Sequence, residues 1–216
     1  MIPLRDDIGH RRFPVINWLL IASNILVFLL QKSGAVGEEF AAVPARIVSG
    51  QDWHTIPTSM FMHGGMLHII GNMWFLHIFG DNVEDAFSHI GYLLVYLAAG
   101  FCGALLQIMV APSSTVPMVG ASGAISGVLG AYMVLYPGAR ILTLVPVFVF
   151  LQFVNIPAIL FLGFWILIQI LSGLGAPRAG GGIAFFAHIG GFAFGFLAGL
   201  FARIFLRPRR LRYTVY

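Results

Sequence analysis

The sequence predicts an all-α membrane protein with six transmembrane helices. Hydrophobic residues make up 59% of its 216 residues and charged residues only 9%, whereas soluble domains carry about 25% charged residues. Because so few charges cannot cover a water-exposed surface, most of the surface must face lipid. This length has room for about six spans of about 20 residues with short connections. We therefore expect a single transmembrane domain over residues 1–216, embedded in a lipid bilayer.

The first half of the chain contains three predicted spans. Span one is expected over residues 14–31, span two over 66–79 and span three over 90–110. A long loop with mixed charges, residues 32–65, separates the first two spans. The acidic stretch 81–85 indicates the end of span two, because charged side chains are costly inside the hydrocarbon core.

The second half is predicted to add three more spans. A loop over residues 111–119 leads into a glycine-rich span four. The uncharged stretch 141–177 is too long for one span and too short for two, and Pro146 and Pro157 interrupt it. We expect an interfacial or half-inserted piece there, then span five, a glycine-rich loop over 173–182 and span six. The predicted bounds are residues 120–136 for span four, 155–172 for span five and 183–206 for span six.

The basic residues cluster beside the ends of the predicted spans. Such clusters mark cytoplasmic ends under the positive-inside rule. With both termini in the cytoplasm, nine of the twelve Lys and Arg residues fall inside. The pattern predicts a multi-pass protein of the cell membrane with a cytoplasmic segment 1–13 and a basic cytoplasmic tail 207–216, and it argues against nucleic acid as a partner. The nine residues are Arg5, Arg11, Arg12, Arg140, Arg203, Arg207, Arg209, Arg210 and Arg212.

The distribution of ionisable residues excludes several kinds of chemistry. No Asp or Glu follows Asp85, so carboxylate catalysis in spans three to six, including an aspartyl mechanism, lacks its residues. The sequence has no H-E-x-x-H motif and a single cysteine, Cys102, which argues against a zinc peptidase site or a cysteine cluster. We therefore expect no metal and no cofactor.

A serine and a histidine remain as candidates for nucleophilic chemistry. Ser122 lies in Gly-Ala-Ser-Gly at the start of span four, and His188 lies in Ala-His-Ile-Gly-Gly near the start of span six. A serine hydroxyl needs a base to become a nucleophile, and histidine is the available base. Small residues recur every four positions on both spans, which lets two membrane helices approach closely. These rows are Ser122, Ser126 and Gly130 on span four, and Gly191, Gly195 and Gly199 on span six.

Acyl transfer also needs hydrogen-bond donors for the developing oxyanion. His68 and Asn72 are four residues apart in span two, so they share one helix face, and both side chains can donate. The backbone N–H of Ser122 is a further donor, because first-turn amides have no partner within their helix. The other histidines inside or beside spans are interpreted as packing or interfacial residues: His63, His77 and His89.

Three segments together resemble the rhomboid intramembrane serine proteases. They are residues 63–72 (HGGMLHIIGN), residues 120–123 (GASG) and residues 187–191 (AHIGG). Their order and spacing match the family, and the resemblance covers nearly all six spans. It implies a six-helix rhomboid-like bundle that cleaves transmembrane segments of other membrane proteins, with Ser122 as the nucleophile and His188 as the general base.

The resemblance also implies the rest of the site. His68, Asn72 and the Ser122 N–H would form the oxyanion site, with Gly120 as part of the oxyanion or substrate-binding region. The loop over residues 173–182 would be a mobile cap, and span five would be a lateral gate. Family substrates have small residues near the cut and helices that unwind easily.

Two positions depart from the family pattern. Many members carry an aromatic residue four after the serine, where it stacks on the histidine, but this chain has Ser126. His54 stands where the first loop of the family often has an arginine. Because Ser126 cannot stack, we expect Phe185 or Phe192 to orient His188.

Two other functions fit parts of the same pattern. A catalytically silent rhomboid-like protein would bind membrane clients in the same groove, and a serine-reactive fluorophosphonate probe would not label it. A channel or haem carrier would use the membrane histidines, with His68 and His188 facing each other. That arrangement would leave Asn72 and the Gly-Ala-Ser-Gly segment without a role, and a Soret absorbance would support it.

Overall fold

The computed structural model describes residues 1–9, 12–147, 150–175 and 183–206, and it is mostly helical. Within these residues, four helices are long and apolar enough to cross a membrane: Val15–Lys32, Met66–Val110, Ala158–Gly175 and Phe185–Leu206. The prediction of a polytopic helical membrane protein is therefore confirmed. In chain order the elements are β1 (Ile2–Arg5), α1 (Val15–Lys32), a 3-10 turn (Glu38–Phe40), α2 (Pro44–Val48), α3 (Thr55–Ser59), α4 (Met66–Val110), α5 (Ser122–Leu135), β2 (Arg140–Val147), β3 (Phe150–Pro157), α6 (Ala158–Gly175), α7 (Phe185–Phe201) and a π-helical turn (Ala202–Leu206).

Helix α4 is much longer than a membrane is thick. Its 45 residues would extend about 67 Å at 1.5 Å per residue, against a hydrocarbon core of about 30 Å. The helix breaks at Ser88, whose φ of 65° and ψ of 167° are not helical. Helical backbone therefore continues past residue 79, where the sequence predicts the end of span two, and turns only at Ser88.

Glu84 explains why the acidic stretch stays helical. This residue is only 2% exposed, and its carboxylate accepts the backbone N–H groups of Ile16 at 2.9 Å and Asn17 at 2.7 Å. These amides lie in the first turn of α1, where backbone donors lack helical partners and a negative charge is favourable. The Nδ1 of His89 forms a hydrogen bond with the same carboxylate. Glu84 is therefore a buried cap for a neighbouring helix.

A three-stranded antiparallel sheet, in the order β1-β2-β3, departs from the all-α prediction. The hairpin of β2 and β3 occupies the stretch expected to be interfacial or half-inserted, and α6 begins at Ala158 instead of Asn155. Both prolines are tolerated, although proline removes a donor from the strand ladder. Pro157 ends the edge strand β3, and Pro146 lies beyond the part of β2 that pairs with β1.

Helix α5 lies at the centre of the bundle, between α4 and α7. It has 14 residues, most of them buried, and is therefore only about 21 Å long. A Cβ built at Gly191 of α7 would overlap the carbonyl oxygen of Gly123, and one at Gly195 would overlap that of Gly127. The backbones of α5 and α7 are so close here that only glycine fits at these positions.

The structure corrects which residues of α5 form this contact. The predicted row on α7 does meet α5, but the facing residues on α5 differ from those predicted. Ser126 is buried and donates its hydroxyl to the Ser122 carbonyl at 2.6 Å. The α5 row that faces Gly191, Gly195 and Gly199 is therefore Gly123, Gly127 and Ala131, one position after the predicted row, and Gly130 makes a separate contact with the α7 backbone at Phe192.

Asp6 attaches the N-terminal segment to the bundle. Its Oδ2 accepts hydrogen bonds from the Tyr132 hydroxyl at 2.5 Å and from Asn82 Nδ2 at 2.8 Å. Burial raises the pKa of the Asp6 carboxyl from 3.8 to about 7, although the Tyr132 hydrogen bond opposes the increase. Asp81 adds a smaller increase through charge repulsion.

We expect the stability contributed at Asp6 to fall as the pH rises from about 4 to about 7. Below pH 3.8 the Asp6 carboxyl is protonated in both the folded and the unfolded protein. Above this pH the carboxyl ionises first in the unfolded protein, which favours unfolding more and more until the carboxyl of the folded protein also ionises near pH 7. The increase from 3.8 to about 7 corresponds to a loss on the order of 4 kcal/mol over the whole range, because one pKa unit is about 1.4 kcal/mol. The measurement is the thermal midpoint in detergent at pH 5 and pH 8. Asp6→Asn, which stays neutral, should show a smaller pH dependence, and an equal dependence would contradict the assignment.

Candidate active site

Ser122 and His188 are brought together where α5 begins and α7 has completed its first turn. The Ser122 Oγ lies 2.8 Å from His188 Nε2, a hydrogen-bond distance. His188 is 8% exposed. The approach follows from the packing already described, because Gly123 is next to Ser122 and contacts Gly191, which lies one turn after His188. The spacing of small residues thus places the hydroxyl against the imidazole.

The other ring nitrogen of His188 faces Gln169 of α6. The His188 Nδ1 lies 2.8 Å from the Gln169 Oε1. An amide oxygen can only accept, so the neutral imidazole in this contact carries its proton on Nδ1. Nε2 then has a free lone pair toward Ser122, which is the tautomer that can receive the hydroxyl proton. Gln169 is not among the site residues predicted from the sequence.

Trp165 of α6 takes the place of the missing aromatic residue on α5. Its ring centroid lies 6.0 Å from that of His188, with the planes tilted by 35°. Phe192 stacks on Trp165 at 6.2 Å, and Phe185 lies beside Gly173. Trp165, which the sequence did not predict, is thus an aromatic ring beside His188, and orientation of His188 by Phe185 or Phe192 stays a prediction.

Gly120 and His68 approach each other close to Ser122. Gly120 has a φ of +128°, and a Cβ there would lie 2.7 Å from His68 Nε2, so this position requires glycine. The backbone N–H of Gly64 donates to His68 Nδ1 at 3.4 Å. With Nδ1 accepting, the neutral ring carries its proton on Nε2, which points toward Gly120 and Ser122 as a donor.

Asn72 is held by a residue that the sequence analysis assigned to packing. The Nδ2 of Asn72 lies 2.9 Å from Nε2 of His63, and Nδ1 of His63 lies 3.3 Å from the Phe61 carbonyl. His63 therefore donates to Phe61 and accepts from Asn72, which leaves one amide hydrogen of Asn72 available. Burial, and to a smaller extent the nearby His68, lowers the pKa of His63 to about 4, so the ring stays neutral as an acceptor. Its place at the start of the HGGMLHIIGN segment was the available signal.

One cavity joins these groups. It has a volume of about 780 Å³ and is lined by Ser122, His188, His68 and Asn72. A smaller pocket of about 40 Å³ adjoins Ser122, with Gly120 and other small residues in its wall. Among the described residues, no group of three or more His, Cys, Asp or Glu side chains could hold a metal ion. The cavity thus combines a paired hydroxyl and imidazole with two hydrogen-bond donors, His68 and Asn72, in its lining.

An apolar helical bundle with this partly buried serine–histidine pair defines a polytopic membrane protein with a candidate hydrolase site. The model of the Rhomboid domain family matches residues 50–205, which is more than half of the chain. The chain therefore belongs to the rhomboid family, as the three sequence segments indicated.

Individual relatives agree with this assignment. The chain is 31% identical to RHOMBOID-like protein 4 of Arabidopsis thaliana over 76% of this chain and 37% of that protein. It is 33% identical to Rhomboid protease GluP of Bacillus subtilis, over 56% of this chain and 24% of GluP. The Putative rhomboid protease YdcA of B. subtilis is 28% identical over 67% of this chain and 79% of YdcA. The matches to RHOMBOID-like protein 4 and GluP thus span well under half of those proteins.

Proposed function

We propose that the chain is an intramembrane serine endopeptidase that cleaves transmembrane segments of other membrane proteins with a Ser122–His188 dyad. The observation that carries the proposal is the 2.8 Å contact between Ser122 Oγ and His188 Nε2 beside the large cavity. Similarity to GluP, named a rhomboid protease, and to YdcA, named a putative rhomboid protease, supports it. The chemistry uses residues of the chain alone.

In the proposed reaction, Ser122 Oγ attacks the scissile carbonyl while His188 Nε2 takes the hydroxyl proton. The resulting oxyanion accepts hydrogen bonds from His68 Nε2–H, the free amide hydrogen of Asn72 and the Ser122 backbone N–H. His188 then gives its proton to the leaving amine, and an acyl-enzyme remains. Water, activated by the same imidazole, releases the acyl group and restores Ser122.

The small pocket beside Ser122 fits the proposed substrate class. A volume of about 40 Å³ exceeds the roughly 10–15 Å³ that a cavity needs to hold one water molecule, so the pocket has room for a small side chain such as that of alanine or serine. A helical substrate hides its carbonyls in its own hydrogen bonds, and in lipid those bonds are costly to break. Substrates whose helix unwinds easily at a small residue would therefore enter the cavity most readily.

We also propose six membrane crossings with both termini in the cytoplasm of a cell-membrane protein. The break at Ser88 divides α4 into halves of 22 residues, each about 33 Å long and sufficient to span the core. These halves join α1, α5, α6 and α7 to make six. Helix α5 is shorter than the core is thick, so Ser122 at its start lies below the membrane surface. The distribution of basic residues supports the orientation.

A fluorophosphonate probe tests the proposed function, because it reacts only with an activated serine. Purified wild-type protein is expected to label, and Ser122→Ala should reduce labelling at least about 100-fold. Ser126→Ala is the matched control, since Ser126 is on the same helix and its hydroxyl bonds only to backbone. Absence of labelling in wild-type protein would favour a client-binding protein without catalysis. Equal labelling of Ser122→Ala would contradict the role of Ser122.

A further inference from the structure

Gln169 is the polar group that contacts His188 on the side away from Ser122. It lies on α6 behind the imidazole, with Oε1 2.8 Å from Nδ1. We propose that Gln169 is a positioning residue for His188, so that the location of α6 decides whether the imidazole is aligned with Ser122. This inference rests on the proposed function and adds a third member to the dyad.

The composition of the chain explains why an amide stands at this position. Every Asp and Glu precedes residue 86, so spans three to six contain no carboxylate that could accept from Nδ1. A carboxylate buried there would also cost free energy unless it was paired, whereas a neutral amide costs much less. Gln169 therefore holds the Nδ1–H tautomer without adding charge.

The groups around His188 come from three helices. Ser122 faces it from α5, while Trp165 and Gln169 face it from α6. His68 of α4 is the titratable side chain on the far side of the cavity. Ser126 cannot stack on the imidazole ring. The ring contact from Trp165 and the hydrogen bond from Nδ1 to Gln169, which together fix the plane of the imidazole, both come from α6.

Helix α6 is attached to the bundle at its two ends. Its buried residues are Ala158, Phe161 and Leu162 at the start and Gly173 near the end. Trp165 and Gln169 lie between these anchors, and outward neighbours such as Leu167 are exposed. A displacement of the middle of α6 would lengthen the contact between Gln169 and His188 and let the imidazole rotate. Catalysis would then require α6 to pack against α7.

The test measures the rate of fluorophosphonate labelling across pH in full-length protein. Gln169→Leu removes the acceptor and is expected to slow labelling about 10- to 100-fold, the size seen when an orienting partner of a functional histidine is lost. Leu167→Ala, an exposed neighbour on the same helix, is the control and should label at the wild-type rate. Labelling of Gln169→Leu at the wild-type rate would overturn the proposal.

Gln169→Glu provides a second and independent measurement. The carboxylate keeps the acceptor, so labelling should be restored near its pH optimum. Because a carboxylate stabilises the imidazolium, the acid limb of the pH–rate profile should move to higher pH. A residue with only a packing role would leave that limb in place, and an unmoved limb would overturn the proposal even if Gln169→Leu failed to fold. Failure of wild-type protein to label would instead reject the proposed function itself.

Discussion

Replacing His188 with alanine is expected to lower the rate of cleavage of a transmembrane reporter by at least about 10⁴-fold. The nucleophile and its base act together, so removing either one loses nearly all of the rate enhancement that the pair provides. The side chain supplies the Nε2 that lies 2.8 Å from Ser122 Oγ, and no carboxylate follows residue 85 to replace it. Residual turnover would come from the oxyanion donors alone.

The measurement is the initial rate of reporter cleavage in proteoliposomes. Truncating His188 leaves a cavity and removes the partner of Gln169 Oε1, which lowers folding stability, so the rates are compared at a temperature below the thermal midpoints of both proteins. His77→Ala is the matched control and should cleave at the wild-type rate. His77 is also in a span, but its side chain is exposed and its ring centroid lies 5.5 Å from that of Trp18. Cleavage by His188→Ala within tenfold of wild type would contradict the proposed role of the imidazole.

The sequence predicted the helical membrane class and the elements that carry Ser122 and His188, because these depend on patterns within one segment. Apolar runs, basic flanks and four-residue glycine spacing are local signals. Glu84 shows the limit of such signals: a carboxylate beside an apolar run indicates a span end, yet this one is buried against the first turn of α1. Its partner is 67 residues away in sequence.

The same limit explains what was missed in the candidate site. Gln169 is one polar residue in an apolar helix, and nothing in its neighbourhood indicates that it faces a residue 19 positions later. His63 was assigned to packing because its hydrogen bond to Asn72 crosses a turn before α4 and leaves no local signal in the sequence. The β2–β3 hairpin was missed because a short apolar run fits a strand or a membrane segment equally well. The loop predicted over residues 173–182 begins within α6, and residues 176–182 lie outside the described residues.

Gly191→Ala should reduce both stability and activity through packing alone, because it removes no reacting group. A methyl group at this position would overlap the carbonyl oxygen of Gly123, so α7 must move away from α5. Overpacking of this kind costs about 1–3 kcal/mol. Because Gly123 adjoins Ser122 and Gly191 lies one turn after His188, the same movement must widen the gap between Oγ and Nε2. A misplacement of about 1 Å can cost roughly 100-fold in rate.

Thermal unfolding and probe labelling of the same purified samples separate this packing effect from chemistry. Gly163→Ala is the matched control, because a Cβ at Gly163 of α6 would meet nothing within 4 Å and alanine favours a helix over glycine by about 1 kcal/mol. It should keep full labelling and an equal or higher midpoint. If Gly191→Ala kept both properties as well, the close approach of α5 and α7 would not be what holds the serine against the histidine. A lower midpoint with slowed labelling would show that the glycine contact sets the distance on which the proposed reaction depends.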